Sequence, residues 1–243
     1  MTYPKTSVAV LKGLSFSLPA GTKTGVVGRT GAGKSTLTLA LVRMVPTGGG
    51  AFLVDGVDVS RAPLERLRAG ITVVPQEPAL FKGTIRSNVD LAGERSDDEL
   101  LGALRRVQLA GMDLDRAVSD SGANLSVGER QLLCLARALL RARALLIMDE
   151  ATANVDSVSD ANIQKVIREE LAGVSVLTIA HRLKTIIFYD QVLVLDGGAK
   201  KEFGSPAELI EAEDGHFRSL CAATGDLDAL RAEAQAAAAA RGA

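Results

Sequence analysis

The run Gly28-Arg29-Thr30-Gly31-Ala32-Gly33-Lys34-Ser35-Thr36 limits what this chain can fold into more than any other feature. The apolar run Thr24-Gly25-Val26-Val27 before it reads as a short buried strand, and Leu37 to Val42 after it as an apolar helix. A strand, a G-x-x-x-x-G-K-S turn and a helix together predict a phosphate-binding loop. The glycines let the backbone curl so that successive N–H groups face an anion. The helix N-terminus adds unpaired donors and partial positive charge. Lys34 would neutralise the β- and γ-phosphates, and the Ser35 hydroxyl would ligate Mg²⁺. The competing reading is a glycine-rich turn with an incidental lysine, which leaves the flanking strand and helix unexplained. The prediction is therefore a nucleoside triphosphate site.

At 243 residues the chain suits one α/β domain, with room for a subdomain. A formal net charge of -1 gives no basis for a nucleic-acid surface. The pairs Arg105-Arg106 and Arg141/Arg143 are expected to decorate helices. No apolar run approaches the ~18 residues that span a bilayer, and no signal peptide is evident at the N-terminus. Cys134 and Cys221 lie in helical patterns without metal-ligand spacing, so packed reduced thiols are expected.

Residues 8–11 and 14–18 read as strands of an antiparallel flap ahead of the phosphate loop. After Gly48-Gly49-Gly50, residues 51–54 and 57–59 around Asp55-Gly56 read as a hairpin. A short helix from Pro63 to Arg68 and a buried strand from Ile71 to Val74 follow. From Gln76 to about Arg143 the pattern is helical without a convincing strand, which predicts an inserted α-helical subdomain. Within it Ser96 to Glu99 is a capping-box sequence and Val127 to Leu140 a further helix. Then come a strand at 144–148, a polar helix at about 157–171, a strand at 174–179 and a hairpin around Gly197-Gly198. The alanine-rich tail 231–243 reads as weakly helical or disordered. Strands alternating with helices give the expected fold class: α/β, with a mostly parallel sheet covered on both faces.

Asp149-Glu150 ends the strand whose apolar run is Leu145 to Met148, and strand ends in parallel sheets open onto the ligand crevice. There Asp149 would hold Mg²⁺ through water, and Glu150 would take the proton from an attacking water. A solvated acidic pair is the plainer alternative.

Asn124-Leu125-Ser126-Val127-Gly128-Glu129-Arg130-Gln131 resembles the signature sequence of ATP-binding cassette (ABC) ATPases. That superfamily combines such a segment with a phosphate loop upstream and an Asp-Glu strand close downstream. Val74-Pro75-Gln76 is similar to its glutamine loop, residues 153–156 to its aspartate loop, and Thr178 to Arg182 to its switch-histidine segment. Residues 81–88 and 202–206 match further segments. The valine of Ser126-Val127-Gly128 and the wording of the phosphate loop are similar to the second nucleotide-binding domain of subfamily C exporters, the multidrug-resistance-associated-protein type.

The resemblance implies a P-loop NTPase core with an N-terminal antiparallel β subdomain and the helical subdomain at about 76–143. Residues 1–230 would form the nucleotide-binding domain. It implies ATP and Mg²⁺ as cofactors and a head-to-tail dimer with a second nucleotide-binding domain. Each ATP would then lie between one domain's phosphate loop and the partner's signature segment, here Ser126, Val127, Gly128 and Glu129. Gln76 would contact Mg²⁺ or the lytic water, His181 would sense the γ-phosphate, and Tyr3 would stack on adenine. The partners implied are the transmembrane domains of an exporter, with no nucleic acid. The chain itself would be soluble, held at the cytoplasmic face of a membrane by transmembrane domains absent from it, as a fragment, an excised domain or a truncated gene product. One departure stands out: the family usually has glutamine where this chain has Glu129, a carboxylate that would sit near incoming phosphates, favouring its own helix N-terminus while repelling the nucleotide. A soluble ABC ATPase and a regulatory cassette that binds ATP without transport are the alternative readings.

Overall fold

The computed structural model describes residues 9–46, 48–60, 62–141, 144–149 and 155–242. Strand β1 (Lys23–Val27) leads through the phosphate loop into α1 (Lys34–Leu41). A hairpin of β2 (Leu53–Val54) and β3 (Val57–Asp58) precedes α2 (Leu64–Gly70) and β4 (Ile71–Val74). Next come β5 (Gly83–Thr84), α3 (Ile85–Val89), α4 (Asp97–Arg106), β6 (Ala117–Val118) and α5 (Val127–Arg141). The chain continues through β7 (Leu145–Asp149), α6 (Ser157–Glu169), β8 (Ser175–Ile179), β9 (Gln191–Asp196) and β10 (Ala199–Gly204). It closes with α7 (Pro206–Glu211), α8 (His216–Ala223) and α9 (Leu227–Gly242).

One sheet organises the molecule, in the order β10-β9-β1-β8-β7-β4. Its five strands from β9 to β4 are parallel, and β10 returns antiparallel to β9. Alternate residues of each inner strand feed two apolar clusters. Along β7, Leu146 and Met148 join one cluster while Leu145 and Ile147 join the other. Burial on both faces is the reason these strands read as unbroken apolar runs. Helices α1 and α2 cover one face through Leu37, Leu41 and Leu67. Helices α5, α6 and α8 cover the other through residues such as Leu133, Ile163 and Phe217.

Several local expectations are met and several are corrected. Asp55 (φ 49°) and Gly56 (φ 78°) turn the β2–β3 hairpin, as the Asp-Gly pair demands. Ser96 and Glu99 close the capping box at the start of α4. The expected flap strands at 8–11 and 14–18 do not form among the described residues. Leu11, Leu14, Phe16 and Leu18 pack against the core, and Phe16 meets Phe203 at 6.1 Å between ring centroids. Side-chain burial holds this segment, together with two hydrogen bonds, the Lys12 N–H donating to the Gly198 carbonyl at 2.7 Å and Lys200 Nζ to the Ser15 carbonyl at 2.6 Å. The helical insertion does contain strands: β5 and β6 pair through Gly83–Val118 and Thr84–Ala117. β4 lies at the sheet edge, and Val73 is 40% exposed rather than buried. The alanine-rich tail is the body of α9, with Leu230 and Ala234 fully buried.

Candidate nucleotide site

Parallel register brings the singled-out positions to one edge of the sheet. Val26 of β1 and Asp149 of β7 are both level with Ile179 of β8, and Val74 of β4 is level with Met148. The chain therefore leaves this edge at Gly28, at Asp149, at His181 two residues past β8, and at Gln76 two residues past β4. Strand ends of a parallel sheet are where such folds take up ligands. His181, Gln76, Arg29, Thr30 and Ser35 are exposed there, and Asp149 is half-buried.

The phosphate loop has the backbone its glycines permit. Gly28 (φ 152°) and Gly33 (φ 99°) adopt conformations that L side chains rarely take, and neither has room for one. A Cβ at Gly28 would lie 2.1 Å from the Leu195 carbonyl oxygen. Gly33 is the N-cap of α1. The donors of the helix's first turn and the positive end of its dipole thus face the loop, with no acidic side chain in that turn. Lys34 is buried and reaches back along the loop, its Nζ donating to the Gly28 carbonyl at 2.8 Å and to the Arg29 carbonyl at 3.3 Å. A lysine held in that way delivers its charge where a phosphate would rest against Gly31, Ala32, Gly33 and Thr36.

The signature segment begins α5. The Ser126 hydroxyl accepts from the Glu129 N–H at 3.1 Å, and the Glu129 carboxylate accepts from the Ser126 N–H at 2.7 Å. This reciprocal pair is a capping box. Glu129 also lies 3.5 Å from the Arg116 guanidinium. The carboxylate expected to confront incoming phosphates is therefore folded onto its own helix and compensated by a cation. Val127 is half-buried, and Gly128 is buried against the start of α6. There Asp156 caps α6 by accepting from the Val158 and Ser159 N–H groups. The Ser159 N–H holds the Asp156 carboxyl below its ordinary range.

The donor set suits Mg²⁺ in one particular way. Among the described residues no three His, Cys, Asp or Glu side chains cluster to hold a metal. Ser35 at the loop and Asp149 across the same edge instead offer one hydroxyl and one carboxylate. Mg²⁺ is commonly held by such a partial set, completed by phosphates and water. Tyr3 and Glu150, expected at the adenine and at the lytic water, lie outside the described residues.

The sequence reading names Gln131 only as the end of the signature segment and gives it no role; it is 3% exposed on the apolar side of α5. Its Nε2 donates to the Gln76 carbonyl at 2.8 Å. A polar residue on an otherwise leucine-rich helix face was the available signal. Asn88, fully buried, was likewise given no role. Its amide grips the Phe81 N–H and the Phe81 and Thr84 carbonyls, which fixes the loop that follows Gln76.

Comparison with known proteins shows the family of the chain. A family model described as "ABC transporter" matches residues 11–153. The chain is 43% identical over 248 residues to the ATP-dependent bile acid permease of Saccharomyces cerevisiae, covering 91% of this chain and 15% of that protein. It is 46% identical over 244 residues to ABC transporter C family member 3 of Dictyostelium discoideum, covering 97% of this chain and 17% of that one. A solved structure of a bacterial Atm1-family ABC exporter with ATP bound matches with a TM-score of 0.84 and 33% identity, over 91% of this chain and 40% of that chain. This chain thus spans about a sixth of the curated relatives' length.

Proposed function

Because this chain belongs to the ABC transporter family, and to its subfamily C type, we propose that it is the ATP-hydrolysing motor of an exporter. The observation that carries the reading is the meeting of the phosphate loop, Gln76, Asp149 and His181 at one sheet edge. Gly28 to Thr36 bind the phosphates through backbone N–H groups, with Lys34 as the counter-charge and Tyr3 against the base. Ser35, Asp149 and Gln76 would hold Mg²⁺, which would supply positive charge to the phosphates. Glu150 takes the proton of the attacking water, and His181 hydrogen-bonds the γ-phosphate.

The site is completed by a second chain. Ser126, Val127, Gly128 and Glu129 open a long helix, and in a head-to-tail pair they face the nucleotide held by the partner. Membrane-spanning domains supply the transport path and hold the cassette at the cytoplasmic face; no helix among the described residues is long and apolar enough to cross a membrane. Two variants test the reading together. Lys34→Ala should weaken MgATP binding by about 1.5–3 kcal/mol per charge-assisted bond lost, read by calorimetry. Glu150→Gln should retain binding and slow phosphate release, measured with a partner cassette present, by ~10²–10⁴. Undiminished affinity in the first variant, or an undiminished rate in the second, would remove the assigned role.

A further inference from the structure

Helix α5 does more than present its first turn. Its side chains at 131 and 137 both fasten the loop that begins at Gln76. Gln131 donates to the Gln76 carbonyl at 2.8 Å. Arg137 donates to the Ala79 carbonyl at 3.1 Å and to the Asn88 carbonyl at 2.8 Å. The loop is rigid in its own right, because buried Asn88 clasps Phe81 and Thr84. Ser126 caps the same helix five residues before Gln131, a separation of about 7.5 Å along the axis at 1.5 Å per residue.

Gln131 is a costly way to fill its position. Its Oε1 is buried and, among the described residues, meets no hydrogen-bond donor. Packing alone would be served better by methionine, which has the same length and no acceptor to leave unmet. The amide is explained by the single bond it makes to Gln76.

We propose that Gln131 is a positioning residue that locks the signature end of α5 to Gln76, so that the two move as one body. The inference rests on the function proposed above. Under that reading Gln76 serves the chain's own nucleotide, and Ser126 to Glu129 serve the nucleotide of a partner. Gln131 then couples the two sites through one hydrogen bond, and nucleotide in one changes the geometry offered to the other.

Hydrogen–deuterium exchange on the 243-residue chain, diluted until sedimentation shows a monomer, tests the coupling. Saturating MgATP should alter exchange at residues 28–36 and also, by severalfold, at residues 124–130, which touch only a partner's nucleotide. Gln131→Met and Gln131→Leu, both without the donor, should keep MgATP affinity within about twofold by calorimetry while the change at 124–130 disappears. A residue that merely fills space would shift the baseline in both states and leave the ATP-induced change intact. An unchanged 124–130 response in either folded variant overturns the proposal. So does a parent chain that binds MgATP with no response at 124–130. A parent that fails to bind MgATP at all instead removes the nucleotide-site reading on which the proposal stands.

Discussion

Gly128 shows how tightly single residues set the signature segment. A Cβ there would lie 2.1 Å from Ser159 Oγ and 2.5 Å from Ser159 Cβ. A hydroxyl can rotate away, but a Cβ moves only with its backbone. Gly128→Ala should therefore push α5 off α6 and cost about 1–3 kcal/mol, the usual range for overpacking a close contact. Ser159→Gly in the same chain should recover much of that loss, because it removes both clashing atoms. Thermal melts of the two single variants and the double variant measure the coupling. Strictly additive penalties would show that the clash is relieved elsewhere. The glycine itself was legible through the signature motif, yet its steric partner was not, since Ser159 lies 31 residues further on in the sequence. The phosphate loop was legible in full, because a local pattern fixes a local backbone. Gln131 was hidden for the opposite reason: its partner, Gln76, is 55 residues away.

Elements that close on sequence-local signals were readable, and those held by distant contacts were not. The central strands announced themselves as unbroken apolar runs, and α4 by its capping box. A similar box, Ser205 to Glu208 with Pro206 between, opens α7, although that helix was not anticipated. The largest miss is α9, whose alanines favour a helix but give few large apolar side chains to show that it docks on the core. Tertiary contacts dock it: Arg231 and Gln235 meet Glu211, and Arg241 meets Asp190 and the Phe188 carbonyl. Leu230 and Ala234 carry its buried face into the core. Leu230→Ala should accordingly cost about 2–5 kcal/mol, as buried leucine truncations do. Ala232→Gln, at an exposed position of the same helix, should stay within about 0.5 kcal/mol of the parent. Urea denaturation separates the two. Comparable losses in both, or in neither, would mean that α9 is not docked through Leu230.

At the scale of the whole molecule the question is what a second chain meets at the start of α5. In the proposed head-to-tail pair, two closely held nucleotides would concentrate negative charge at the interface, and Glu129 would add a carboxylate at each signature segment. An uncompensated charge at ~4 Å opposes closure by about 1–4 kcal/mol, depending on how wet the interface is. Arg116 lies 3.5 Å from Glu129, and the pair is partly exposed, so the opposition falls toward the lower end of that range. Glu129→Gln tests the charge cleanly, because glutamine keeps the capping box with Ser126 while removing the carboxylate. In a Glu150→Gln background with MgATP, Glu129→Gln should strengthen self-association by about 1 kcal/mol, roughly fivefold in the dimerisation constant. Arg116→Gln should weaken it by a similar factor, since it leaves Glu129 uncompensated while the cap remains. Sedimentation across a concentration series reads both shifts. Raising the salt should shrink them together, as screening acts on each charge alike. If the two variants shift association in the same direction, the charge account fails, and the segment acts through its shape alone.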